Sequence, residues 1–172
     1  FDEIMRKTYV PTPGIRSVIK KCTEAGIYSA ILTNSPRTLN IRDEIKRWGL
    51  LELSQHIFNG PVMGVKKPNP LAIKQVIEAY RAQDDTIAPG NTLLIGDSFD
   101  DTSAAVRSKI DCVLIIRPSI SKEIQIKEPH PSYIIDNPFD LVEIVAGKKQ
   151  PLQKKDHKVF VNAPFFNNKG IL

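Results

Sequence analysis

Apolar and polar positions along the chain follow two alternating periods. Residues Gly14 to Ala25 carry Ile15, Val18, Ile19 and Cys22 at helical spacing, and Gly26 stops the run. "IYSAILT", Ile27 to Thr33, is a short apolar stretch of the kind a buried strand has. Ser35 followed by Pro36 marks a helix start, and that helix is expected to reach Trp48, with Gly49 as its stop. A short strand follows around His56 to Phe58. Asn69-Pro70 opens another helix through Tyr80, with Ile73, Val76, Ile77 and Tyr80 on one face. "TLLIG" predicts a strand, Asp101 to Arg107 a helix, "CVLII" and "YII" two more strands, and Asn137-Pro138 a last helix to Ala146.

Strands thus alternate with helices, and the strand runs are apolar throughout rather than at every second residue. That pattern predicts an α/β fold, a Rossmann-like parallel sheet with helices on both faces. In such folds ligands bind beyond the carboxyl ends of the strands, where Thr33 and Asp97 both fall. At 172 residues the chain suits one domain with a sizeable core.

Composition narrows the classes of function. No run of about 18 apolar residues occurs, so no membrane partner is expected. Cys22 and Cys112 are isolated in apolar surroundings, which fits buried thiols in a reducing compartment, and a cytoplasmic location is expected. The net charge of +5 is concentrated in "GKKQPLQKKDHK", Gly147 to Lys158, which reads as a solvated linker. No basic stripe with interleaved aromatics appears, so nucleic acid is not an expected partner.

Three chemical signals stand in order. "AILTNSPR" is a strand ending in Thr33, "GVKKPNP" holds a lysine before a proline-started helix, and "LLIGDSFDDTSAA" ends a strand in acids. Phosphoryl transfer requires such a set: a hydroxyl or amide on phosphate oxygens, a lysine against the developing charge, and carboxylates for magnesium. Three acids within five residues exceed what helix capping requires, and an all-oxygen cluster suits magnesium better than zinc. His56, His130 and His157 lack ligand spacing, and Trp48 and Tyr80 lie on apolar helix faces.

With these motifs the sequence resembles the haloacid dehalogenase-like (HAD) hydrolases. Thr33 matches the second motif of that family and Lys67 the third-motif lysine, with Lys66 the weaker choice. Asp97 and Asp101 match the fourth motif, GDxxxD after an apolar strand, and Asp100 is a more solvent-facing neighbour. The resemblance implies phosphate binding by Thr33, Asn34 and Lys67, magnesium held by Asp97 and Asp101, and catalytic roles for Thr33, Lys67 and Asp97. It also implies a small phosphorylated substrate. "YVPTPGI", Tyr9 to Ile15, resembles the return from a cap domain into the core. The implied organisation is the end of a cap or linker over 1–13, a HAD-like core over 14–146, and a basic linker and tail over 147–172. The cap itself is expected to be absent or outside this chain.

Family members carry a DxD motif on a central first strand, whose first aspartate attacks the phosphate. No DxD follows an apolar strand here. Losing that strand would open two edges inside the sheet, so something should fill the gap. The preferred explanation is a missing N-terminal segment of the same protein. A second places "KVFVNA" in the gap, leaving Asn162 where the nucleophile is expected, and a neutral amide cannot form an acyl-phosphate. A third is a non-catalytic relative kept as a scaffold or interaction domain. An extra strand over 158–161 is allowed, but the expectation is an appended tail. "GDSF" also resembles the GDSL-type serine esterases, with Ser98 as nucleophile. That motif belongs near an N-terminus with a DxxH near the C-terminus, and no DxxH occurs here.

Overall fold

The computed structural model describes residues 11–36, 41–51, 56–116, 129–146 and 159–162. Expectations for residues 1–10, for the helix start at 37–40, for the linker and for His157 lie outside these residues.

Helix α1 (Ile15–Glu24) buries Ile15, Val18, Ile19 and Cys22, a single stripe that lies flat on a sheet. Strand β1 (Tyr28–Thr33) follows, then α2 (Ile41–Arg47), which buries Ile41, Glu44 and Ile45. Strand β2 (His56–Asn59) leads directly into a single-turn helix α3 (Gly60–Met63) that the sequence pattern does not announce. Helix α4 (Pro70–Arg81) starts where expected: the Asn69 side chain accepts the Leu71 N–H and Pro70 takes the first position. A 3-10 turn, Pro89–Asn91, precedes β3 (Thr92–Gly96). Helix α5 (Phe99–Ser108) begins two residues earlier than the apolar spacing suggests, because Ser98 caps it. Strands β4 (Asp111–Ile115) and β5 (Tyr133–Ile135) and helix α6 (Asp140–Val145) complete the expected series.

The sheet order is β2-β1-β6-β3-β4-β5, every pair parallel, with β6 formed by Val159–Asn162. The apolar strand runs are explained by burial on two faces. Ile31, Leu93, Ile95, Val113 and Ile115 pack with α1, α2 and α6 on one side, and Trp48 leans on that cluster half-buried. Ala30, Leu32, Leu94 and Cys112 pack with α4 and α5 on the other, around the fully buried Tyr80.

The place of β6 corrects the sequence reading. The segment expected as an appended tail contributes a strand to the middle of the sheet, between β1 and β3. Val159 pairs with Tyr28 and Thr92, and Asn162 with Ile31 and Ile95. A short β-like run has little local signal of its own. The gap between two buried strands is what recruits it, because open edges there would leave backbone groups unpaired in the core.

Candidate active site

The sheet places Thr33 and Asp97 at the carboxyl ends of β1 and β3, and a loop brings Lys67 beside the end of β1. Thr33 closes β1 and is 2% exposed, and its hydroxyl oxygen accepts the Ser35 N–H at 3.0 Å. That small turn lifts the chain off the sheet and leaves the hydroxyl proton to be donated elsewhere.

Lys67 arrives from the loop between α3 and α4. Its ammonium donates to the Leu32 carbonyl at 3.0 Å and to Asp101 Oδ1 at 2.6 Å. Both partners of the ion pair are buried, with side chains 5% and 2% exposed, so two of the three ammonium N–H groups are fixed inside the protein. Lys66 is exposed. Of the two neighbouring lysines, Lys67 is the one that turns inward.

Asn34 acts on the lysine rather than through its amide on a ligand. Its Nδ2 donates to the Lys67 carbonyl at 2.8 Å and its Oδ1 accepts the Lys67 N–H at 3.0 Å. The side chain is thereby committed to a two-point clamp on the Lys67 backbone. Asn59, not among the residues expected at the site, supports the same region. Its Oδ1 accepts the Val62 N–H, and its Nδ2 donates to the Ser35 carbonyl at 3.2 Å. Gly60 is required beside it: a Cβ there would lie 2.8 Å from the Val65 carbonyl oxygen and 3.1 Å from Asn34 Oδ1. The signal for both was "NGP" directly after a strand, a turn cluster that can be read from sequence but not assigned a partner.

Asp97 and Asp101 separate into two roles. Asp97 follows β3 and is half-buried at the sheet end, while Asp100 is exposed. Asp101 is 2% exposed and both its oxygens are occupied. Oδ1 takes Lys67, and Oδ2 accepts the Asp97 N–H at 3.2 Å, the Ser98 N–H at 3.1 Å and the Ser98 hydroxyl at 2.5 Å. Gly96 makes room for this, since a Cβ there would stand 2.2 Å from Asp101 Cβ. The expected second metal carboxylate is thus the buried counter-ion of Lys67 and the reciprocal cap of α5. Among the described residues no group of three or more His, Cys, Asp or Glu could hold a metal ion. Asp97 fits as one oxygen ligand for magnesium, which typically takes one or two carboxylates and keeps its waters.

Ser98 hydrogen-bonds a carboxylate and caps a helix, with no histidine among the contacts described for it. That is the environment of a cap, not of an esterase nucleophile. His56 packs edge-on against Tyr80 and Phe58, away from these groups. Among the described residues no helix is long and apolar enough to cross a membrane.

Comparison with known proteins bears on family and fold. A phosphoglycolate phosphatase of Pseudomonas syringae pv. syringae (strain B728a) is 29% identical over 137 residues, covering 78% of this chain and 46% of the relative. The chain spans about half the length, or less, of the curated relatives it matches. A HAD phosphatase from Thermococcus onnurineus superposes with a TM-score of 0.64 at 21% identity, over 80% of this chain and 59% of that one. YfnB of Bacillus subtilis, assigned to the HAD hydrolases and solved with magnesium bound, gives 0.64 at 21% identity, over 78% and 54%. At these identities the solved structures speak for the fold. The family model of the haloacid dehalogenase-like hydrolases matches residues 1–115, from before α1 through β4. It spans Thr33, Lys67, Asp97 and Asp101, and the chain belongs to that family.

Proposed function

We propose that the site is the phosphate-binding part of a magnesium-dependent phosphomonoesterase that works through an aspartyl-phosphate. The observation that carries this reading is the convergence of Thr33, Lys67 and Asp97 on one sheet end, with Lys67 held at its backbone by Asn34 and at its ammonium by Leu32 and Asp101. A preorganised cation of this kind stabilises charge on a transferring phosphoryl group without reorganising during the reaction. Thr33 donates to a phosphate oxygen, and the third N–H of Lys67 does the same. Asp97 is the protein ligand this chain offers to magnesium, which when bound neutralises phosphate charge.

In the reaction a carboxylate oxygen attacks phosphorus, and the P–O bond to the substrate alcohol breaks. The alcohol leaves with a proton from a neighbouring acid. Water then attacks the acyl-phosphate, returning the carboxylate and releasing inorganic phosphate and a proton. We place that nucleophile outside this chain, since no DxD follows an apolar strand in the sequence. The names of the curated relatives make phosphoglycolate the substrate to assay before other small phosphomonoesters.

A second reading, a catalytically silent scaffold, is favoured by one observation: the strand in the sheet centre ends in an asparagine. The two are separated by ligand binding. Titration of the 172-residue chain with inorganic phosphate should perturb amide signals around Thr33 and Lys67, and Thr33→Val should weaken that binding. Manganese, as a paramagnetic stand-in for magnesium, should broaden signals around Asp97 in the native chain and not in Asp97→Asn. Absence of both responses would leave the scaffold reading standing.

A further inference from the structure

A groove of about 340 Å³ runs along the seam of α4 and α5, and none of Thr33, Lys67, Asp97 or Asp101 lines it. The two helices pack side by side against the same face of the sheet. Leu71, Lys74, Glu78 and Arg81 follow at spacings of three or four residues, so α4 turns one stripe to the groove. The lining is largely apolar: Ile77 is buried, while Leu71, 53% exposed, and Pro89 are open to solvent. A hollow of this size and character is of the kind that holds small organic ligands.

Two cations border it from opposite walls. Arg81 closes α4, and Arg107 lies in the last turn of α5. Among the described residues neither guanidinium has an ion pair, whereas Lys74 is matched by Glu78 at 3.7 Å. A cation in a helix's last turn offsets the carboxyl end, which accounts for the charges but not for the hollow between them. Beside Arg107, the Ser108 hydroxyl oxygen is shut off from solvent and has no hydrogen-bond partner among the described residues. An enclosed hydroxyl left unpaired costs stability, and such a group calls for an acceptor. Ser108 as a residue is only half-buried and lines the groove, so a turn about its Cα–Cβ bond can bring the hydroxyl in.

We propose that this groove binds a small fatty acid, with its carboxylate between Arg81 and Arg107 and the Ser108 hydroxyl donating to it. The hydrocarbon chain lies over Ile77 towards Leu71, a path of about 15 Å at the rise of an α-helix. Guanidinium groups offer a carboxylate planar, two-point hydrogen bonding. A single charge suits the groove better than a phosphate dianion, because Glu78 and the carboxyl ends of both helices border the same space. Nothing in this assignment depends on the phosphatase reading.

The experiment titrates the full 172-residue chain with octanoate and, separately, with 1-octanol, and follows the amide signals. Octanoate should shift Leu71, Arg81, Arg107 and Ser108, and 1-octanol, which has no charge, should bind about tenfold more weakly or less. Arg81→Ala with Arg107→Ala should weaken octanoate by a similar factor. The comparison of acid and alcohol on the native chain gives an answer that does not depend on the variant folding. Equal binding of the two, shifts centred on Thr33 and Lys67, or no response to octanoate overturns the proposal. A dimer in sedimentation velocity that Leu71→Glu dissolves would put a second copy of the chain in the groove, and that result overturns it as well.

Discussion

Lys67 and Asp101 show how burial redefines a motif. In water such a pair contributes little, but here both members are almost fully enclosed, so removing one strands a charge in the core. Asp101→Ala should therefore destabilise the fold by about 3–5 kcal/mol, whereas Asp100→Ala on the exposed side of the same turn should stay within about 0.5 kcal/mol. Urea denaturation midpoints check the contrast, and equal effects would mean that Asp101 is solvated in solution. Asn34→Ala removes both hydrogen bonds to the Lys67 backbone. It should cost about 1–3 kcal/mol and weaken phosphate binding by loosening the loop that holds Lys67. Gly96→Ala places a methyl group where Asp101 already sits, and loss of the Lys67–Asp101 pair should follow. The sequence announces that these residues are special. It does not announce that Asp101 faces inward, because both of its oxygens are satisfied by groups 34, 4 and 3 residues away in the chain.

At the level of elements, α5 and β6 behave in opposite ways. Helix α5 carries its own start: the Ser98 hydroxyl accepts the Asp101 N–H while Asp101 reaches back to the Ser98 N–H. Ser98→Ala should cost about 1 kcal/mol for the cap, with a further loss because Asp101 Oδ2 surrenders a donor. Comparing Ser98→Thr, which retains the hydroxyl, separates that loss from packing. Strand β6 carries no such local instruction. Val161→Pro removes a ladder donor from a central strand, where proline is almost never found, and should lower the denaturation midpoint of the whole sheet. A midpoint unchanged by that substitution would show that β6 contributes nothing to the fold.

Across the whole molecule, the two cysteines report on the core. Burial pushes the Cys22 thiol up to about 11, and Cys112, enclosed near Asp101, is also raised. An unfolded chain releases these protons from near pH 9, so above that pH the unfolded state binds fewer protons than the folded one. Stability should therefore fall progressively as pH rises from about 9 towards 11, and replacing Cys22 by Ala should flatten that decline. A thiol reagent at neutral pH should modify neither residue until denaturant unfolds the sheet.

The sequence by itself determined the alternation of helices and strands, the parallel sheet and the three motifs at strand ends. Each is encoded within a few neighbouring residues: the apolar stripe of α1, the Asn69-Pro70 start of α4, the acids after "TLLIG". Tertiary structure alone decided what those residues face. Lys67 rather than Lys66 turns inward, Asn34 binds the lysine backbone, and Asp101 is the counter-ion of Lys67, because their partners come from distant segments. The same holds for β6. Nothing local in "KVFVNA" says centre or edge, and the place is settled by the open edges of β1 and β3, which exist only once the rest of the sheet has formed.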